Sequence, residues 1–450
     1  MRKVIFFKIT FLLCLNILLS NDFVQVQTPY QYVHKLKFLK DNLMVISGDS
    51  AYIDLTKFNP FIQYVGGGFY ISTNLGEKFL GPYLDGTTVL DIEQSKLNDD
   101  RFFALGAKFG RTGIYESTDK GKTWSFMPKF EESSIMHKLI TLSQDKSETI
   151  FIANLNSSDG LIISQNNFEN TLKPQFIQSQ IYDIKYSEKL KQFFLASDHN
   201  EHGHVIRFDG KSVYKDVTGL KGLRVLSVQP SSFNPAFVYA GVDSLTFAKV
   251  AVGKGIYMSI DTGKTWKYLT GDGMQVFDIQ EHPSEINYIA AAMGVGGVGI
   301  SSNFGQYFEI YRNGLPKDAE VRSVAIPNIQ IDVVGIIVYP VTLEHGVYKS
   351  RPLTSSISEN RNQSDFRIEM ISPNPAQSFV QVQYFTEKAE PIQIVIIDYL
   401  GRVVFSDNLG FSHIGHNSFT INDLNLSTGH YYLILKSNSK LVHNPLIIAQ

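Results

Sequence analysis

Short apolar runs broken by polar turns fill this chain, and one polar turn recurs. Ser117-Thr-Asp-Lys-Gly-Lys-Thr-Trp124 and Ser259-Ile-Asp-Thr-Gly-Lys-Thr-Trp266 share the phrase Ser-x-Asp-x-Gly-x-Thr-Trp. Each follows a Gly-Ile-Tyr run (Gly113–Tyr115, Gly255–Tyr257) and precedes another short run, which predicts strand, turn, strand. The carboxylates of Asp119 and Asp261 can accept N–H groups across the turn, Gly121 and Gly263 can take a positive φ, and Trp124 and Trp266 can close the hairpin with a large ring. These six residues are therefore read as a structural staple.

Weaker copies are Ser72-Thr-Asn-Leu-Gly-Glu-Lys-Phe79, Ser164-Gln-Asn-Asn-Phe-Glu-Asn-Thr171, Ser301-Ser-Asn-Phe-Gly-Gln-Tyr-Phe308 and the half-copy Gly346–Ser350. Their positions, 72, 117, 164, 259, 301 and 350, give intervals of 45, 47, 95, 42 and 49. The interval of 95 holds a further hairpin, Val205–Tyr214, with Asp209-Gly210 at its turn. Seven repeats of short strands, none able to bury both faces alone, predict a ring of stacked sheets.

On these phrases, residues 30 to 352 resemble the Asp-box propellers, a group that includes sialidases, xyloglucan hydrolases and sortilin-type receptors. The resemblance implies an all-β, seven-bladed propeller and leaves the activity open, since unrelated functions share the fold. The last blade lacks a fourth strand of its own, so an N-terminal strand, Phe23 to Thr28, is expected to complete it.

Beyond Ser350 the pattern changes. Residues 353–367 are polar and Ser/Asn-rich, a linker; from 368 to 450 apolar and polar positions alternate, as in Phe379–Phe385, Ile392–Asp398 and Tyr431–Lys436, which predicts a small Ig-like β-sandwich. Its landmarks are Pro373-Asn374-Pro375, Gly401 in Asp398-Tyr-Leu-Gly-Arg402, and Gly429 and Tyr431 in Leu426–Tyr431. In that order they resemble the type A C-terminal sorting domain of the type IX secretion system. That resemblance implies recognition by the secretion machinery and a secreted or surface-attached protein of a Gram-negative bacterium. The end, Val442-His-Asn-Pro-Leu-Ile-Ile-Ala-Gln450, lacks the basic residues usual there.

Residues 1–20 show a charged start, an apolar stretch and a small residue near a plausible cut, which reads as a secretory signal peptide and leaves 21–352 for the propeller. The only cysteine, Cys14, lies inside that segment, so disulfides, thiolate metal sites and cysteine nucleophiles are excluded downstream of it. A net charge of −2 without a basic stripe argues against nucleic acid as a partner, and no other stretch is apolar enough to span a membrane.

Candidate chemistry falls on the face opposite the recurrent turns, where the second and third strands of each repeat connect. The connections expected there include Gly48 to Gly67, Ser197 to His204 and Gly241 to Lys254, and long loops on a rigid ring are where binding is usually placed. Asp49, Asp198, Glu201 and Asp243 are the carboxylates available for a glycoside-hydrolase pair. Arg111, His199, His202, His204 and His345 are the expected ligand-binding side chains. The run Asp198–His204 gathers three imidazoles and two carboxylates, but not at the spacing of a metal motif, and it reads as a solvated loop with no metal or other cofactor assigned. Sialidase chemistry would need three converging arginines, and Arg111, Arg312, Arg224 and Arg322 are the available ones. Without a convergent catalytic set, the expectation is a noncatalytic module that binds a glycan or a protein; the alternative is a glycoside hydrolase.

Overall fold

The computed structural model describes residues 22–449 apart from 31, 54–61, 109–110, 133–135, 145–146, 156–159, 166–169, 174–179, 200–201, 210–212, 216–218, 233, 246–249, 286, 330–335, 343, 352, 354–365, 399–402 and 438–440. The expected signal segment, Glu201, Gly401 and most of the expected linker lie outside the described residues. The chain divides into two compact units at Thr354/Ser355.

In the N-terminal unit the strands form four-stranded antiparallel sets in chain order. Their first strands are Tyr32–Phe38, Thr88–Gln94, Met136–Gln144, Gln180–Ser187, Arg224–Pro230, Asp278–Glu281 and Val321–Ala325, numbered here as blades one to seven. First strands of successive blades touch one another in turn, and Val321–Ala325 returns to Tyr32–Phe38, so the series closes as a β-propeller around a central channel. The second strands carry unbroken apolar runs because neighbouring blades cover both their faces: Val238–Gly241 and Ile289–Ala292 are buried at every position. The core is accordingly a series of clusters between blades, such as Phe194, Val205, Val225, Val238 and Trp266.

The last blade is completed from the other end of the chain. Phe23–Gln25 pairs antiparallel with Gly346–Ser350, Phe23 opposite Ser350. Phe23 is 1% exposed and packs with Val298, Val321, Ile336 and Tyr348. Arg351 holds Asp22 at 2.7 Å, and Leu353 exchanges backbone hydrogen bonds with Ile336. Leu353 thus belongs to the propeller, one residue beyond the expected boundary.

The recurrent turn sits between the third and fourth strands. In blade two the Asp119 carboxylate accepts Lys122 N–H at 3.0 Å, Thr123 N–H at 2.9 Å and the Ser117 hydroxyl at 2.8 Å, while Ser117 Oγ accepts Gly121 N–H at 2.9 Å. The Thr123 hydroxyl, which donates to the other oxygen at 2.6 Å, and these bonds together hold the Asp119 carboxyl down at about 2. Blade five repeats the set around Asp261 and Ser259. Gly121 and Gly263 adopt φ of 81° and 78°, a region closed to most side chains. Blades one and six build the same turn on an amide: Asn74 and Asn303 each accept the hydroxyl of Ser72 or Ser301 at 2.9 Å.

The C-terminal unit packs a three-stranded sheet (Phe366–Ser372, Val380–Thr386, Gly415–Ile421) with a four-stranded one ordered Val403–Phe411, Pro391–Asp398, Gly429–Lys436, Leu441–Ile448. Alternation sends Val380, Val382, Ile394, Ile396, Leu433 and Leu435 into one core. The first strand begins at Phe366, two residues before the expected boundary.

Because Phe23 joins the two ends of the ring, Phe23→Ala should destabilise the propeller by about 3–5 kcal/mol, the usual cost of a buried phenylalanine. Guanidinium unfolding followed by tryptophan fluorescence, with Trp124 and Trp266 both in the propeller, would measure it.

Candidate functional site

The first strand of each blade has a free edge toward the channel, and a bulge near its start sets which residues line up. In blades one to five and seven the ladder slips by one residue, at Val33/Lys35, Val89/Asp91, Met136/Lys138, Ile181/Asp183, Val225/Ser227 and Val321/Ser323. The residues after the slip, with Asp278 in blade six, form one layer: Lys35, Asp91, Lys138, Asp183, Ser227, Asp278 and Ser323. Two residues on lies a second layer, which includes Lys37, Glu93, Lys185 and Gln280.

Polar groups in these layers bind blade to blade. Asp91, Asp183 and Asp278 accept the edge N–H of the following blade, from Leu139 at 3.0 Å, Val228 at 3.0 Å and Val324 at 3.3 Å. Lys37 pairs with Glu93 and lies 3.6 Å from Asp91; Lys138 pairs with Asp183. Ser227 donates to the Val276 carbonyl at 3.1 Å, and Ser323 to Asp278 at 2.8 Å. The lysines hold the buried Asp91 and Asp278 carboxyls below the usual range although burial alone would raise them. Lys185 is the exception among the lysines: burial, and Lys138 beside it, push its ammonium down to about 8.

At the channel mouth two of the expected acids are already engaged. Asp49, 4% exposed, accepts His34 Nε2–H at 2.8 Å and the Thr88 hydroxyl at 3.1 Å. Asp243, fully buried, takes Arg224 through Nε at 2.8 Å and a second bond through Nη2, plus the Gln275 amide at 2.8 Å. Arg312 donates to four backbone carbonyls, those of Val295, Pro316, Lys317 and Ala319. With Arg224 and Arg312 both committed to the frame, the described residues form no arginine triad.

The expected long loops are, over most of their length, β-hairpins. Met44–Ile53 and Ile62–Ser72 stay paired out to Ile53 opposite Ile62, and Val238–Leu245 pairs with Ala251–Ser259 out to Leu245 opposite Ala251. The β-branched and aromatic residues Tyr52, Ile53, Ile62, Tyr64 and Val65 continue the strands instead of breaking them. The Asp198–His204 run likewise lies on paired strands, with His199 opposite His202 and Ser197 opposite His204. Asp198 and His204 are half-buried there; Arg111 is exposed opposite Lys108, and His345 lies 3.3 Å from Asp318. No cluster of metal-binding side chains forms among the described residues. Asp49 and Asp243 belong to separate networks, on blades one and five.

Among the described residues, the tips of blades five and six expose apolar side chains. Leu245 and Val250 are 36% and 59% exposed at the end of the blade-five hairpin, and Val295 is 63% exposed on the corresponding turn of blade six. Met274 lies between them, its backbone against Gly253 and its side chain against Gly296. The channel layers and this ridge were both missed in the sequence. The first needs the bulge register, and the second needs Met274 to be placed between two turns.

In the C-terminal unit Asn374 of the Pro373-Asn374-Pro375 turn accepts Ile447 N–H at 2.8 Å, and the Tyr431 hydroxyl donates to the Ser427 carbonyl at 2.8 Å just before Gly429.

Comparison with known proteins bears on both units. Residues 370–449 match the secretion system C-terminal sorting domain family. No curated protein sequence matches the chain. Among solved structures, the GH74 enzyme of Niastella koreensis aligns at 12% identity over 94% of this chain and 80% of its own, with a TM-score of 0.53. YCF48 from Cyanidioschyzon merolae aligns at 12% identity over 73% of this chain and 98% of its own, with a TM-score of 0.51. PorZ, a surface component of the type-IX secretion system of Porphyromonas gingivalis, aligns at 13% identity over 95% of this chain, with a TM-score of 0.49; the chain spans 60% of its length. At these identities the likeness is one of fold. The protein is a β-propeller fused to a type IX sorting tail, secreted or attached to the outer surface of a Gram-negative cell, and among the described residues no helix is long and apolar enough to cross a membrane.

Lys185 supplies a test of the channel electrostatics. Its folded pKa, about 8, lies below the ordinary 10.5, so between those values the unfolded chain holds the proton and the folded one releases it. That contribution to stability therefore rises with pH through this window and is a penalty below it. Lys185→Met should stabilise the protein by about 1–3 kcal/mol at pH 7 in a buffer without oxyanions, with the gain shrinking toward pH 10. Urea unfolding across pH 6–10 would show it; a destabilised variant at pH 7 would count against the assignment.

Proposed function

We propose that the propeller is a noncatalytic binding module displayed outside the cell, and that it holds a polypeptide on the apolar ridge formed by Leu245, Val250, Met274 and Val295. The supporting observation is the contrast at this face. The described acids best placed for chemistry, Asp49 and Asp243, are buried and engaged by His34, Thr88, Arg224 and Gln275, while apolar side chains stand out beside the turns of blades five and six. A general acid or nucleophile must reach the reacting atoms, and neither carboxylate has a free approach. An exposed apolar ridge on an otherwise charged surface is the mark of a protein-contact site. Arg312 supports the ridge by tying the Val295 carbonyl to those of Pro316, Lys317 and Ala319, so little order is lost on binding. The sorting domain then serves export and sits outside the binding chemistry.

Residues 22–450, immobilised and presented with a peptide array and with a polysaccharide panel, should retain peptides carrying apolar anchors and release no sugar. Val295→Asp should weaken that retention about tenfold or more without changing the melting temperature. Sugar released by the wild type and lost in Asp49→Asn or Asp243→Asn would replace this reading with a glycoside hydrolase.

A further inference from the structure

The channel contains ammonium groups with no carboxylate in direct contact among the described residues. A cavity of about 230 Å³ opens among the first strands of blades one to four, six and seven, lined by Lys35, Lys37, Lys138 and Lys185 with Glu93, Asp278 and Glu281. Each carboxylate along it is already engaged. Glu93 is held by Lys37. Asp278 accepts the Gln280 amide at 2.8 Å through one oxygen, and the Ser323 hydroxyl and Val324 N–H through the other. Glu281 is turned to blade five, where the Ser231 hydroxyl reaches it at 2.9 Å and Ser232 N–H at 2.8 Å. Behind the wall, Asp91 and Asp183 serve Leu139 and Val228.

Two lysines are left over. Lys185 has one neutral contact, the Gln280 amide oxygen at 3.1 Å, and no carboxylate within ion-pair distance. For Lys35 no ion pair or hydrogen bond occurs among the described residues. The ring itself accounts for the missing contacts, since the four lysines are matched in number by Asp91, Glu93, Asp183 and Asp278 but not in position. In the first layer lysine or serine alternates with aspartate from blade to blade, and an alternation cannot close on an odd number of positions. Lys35 follows Ser323 across the seam, where a carboxylate would be needed. A desolvated ammonium that touches no counter-charge is costly even with carboxylates farther along the channel, and an anion that can enter the cavity recovers part of that cost.

We propose that the channel cavity binds a small oxyanion of phosphate size between Lys35 and Lys185. Lys138 also lines the cavity, and it is engaged by Asp183. The Ser323 hydroxyl, also on the lining, is engaged with Asp278 and stays with the frame. This site is separate from the apolar ridge, so it stands or falls independently of the proposed polypeptide binding.

Inorganic phosphate is the probe. Titrated into residues 22–450 at pH 7, with ionic strength held constant by chloride, phosphate should bind at one site by calorimetry and raise the melting temperature by several degrees. Lys35→Met and Lys185→Met should each weaken binding at least tenfold and lose most of the thermal shift. Lys185→Arg, which keeps the charge, should retain both, and so should Lys221→Met on the exposed surface. If a methionine variant fails to fold, the arginine variant and the wild-type titration still decide. Absence of binding to the wild type, a thermal shift matched by chloride alone, or binding unchanged in Lys185→Met would each overturn the proposal.

Discussion

The edge of the innermost strand is the constraint on which this propeller turns. A four-stranded blade pairs its first strand on one side only, and the other side faces the channel with N–H and C=O groups that no sheet partner can reach. Buried unpaired amides cost free energy comparable to a lost hydrogen bond. Here the neighbouring blade answers with side chains: Asp91, Asp183 and Asp278 accept the edge amides of Leu139, Val228 and Val324, and Ser227 donates to the Val276 carbonyl. The lysines follow from the aspartates, because a carboxylate that far from water stays ionised only beside a positive charge. Backbone satisfaction therefore sets the charge pattern of the channel.

The same order of causes extends to two acids at the channel mouth. Asp49 joins His34 on the first strand of its own blade to Thr88 of the next, and Asp243 joins Arg224 of its own blade to Gln275, which lies on the way to the next. Both acids work as inter-blade ties one level above the channel aspartates. A residue that fastens a closed ring cannot be released to a substrate without loosening the ring. The described hairpin tips carry no such ties and expose side chains of both kinds, Lys108 and Arg111 on blade two and Leu245, Val250 and Val295 on blades five and six.

Legibility in the sequence followed the range of the interactions. The Ser-x-Asp-x-Gly turns could be read because their hydrogen bonds close within a few residues, so the phrase contains its own geometry, and Asn74 and Asn303 show that an amide serves as well. The alternating strands of the sandwich were readable for the same reason. The channel was not: Lys35, Asp91, Lys138 and Asp183 lie dozens of residues apart, and the bulges that bring them to one level leave no local mark. Reading Gly48 to Gly67 and Asp198 to His204 as loops failed because polar and glycine residues suggested a break, while ladder pairing with an adjacent long strand was strong enough to continue the hairpin.

The sandwich meets the same edge problem with different means. Leu441–Ile448 is the outermost strand of its sheet, paired along its whole length with Gly429–Lys436 and open on the other side. Near its end the Pro373-Asn374-Pro375 turn covers that open side. Asn374 accepts Ile447 N–H, Ala376 N–H donates to the Ile447 carbonyl, and Ala449 N–H donates to the Ala376 carbonyl. A motif met in the sequence as a signpost of a sorting domain is thus, physically, an edge cap, and its prolines are suited to it because they offer no N–H for another strand to pair with. The unusual stretch Val442-His443-Asn444-Pro445 changes the charge of the terminal strand but not its pairing, so the sandwich fold does not depend on the basic residues it lacks. Any contribution of those residues to export must then lie in recognition, outside the fold that the cap and the ladder secure.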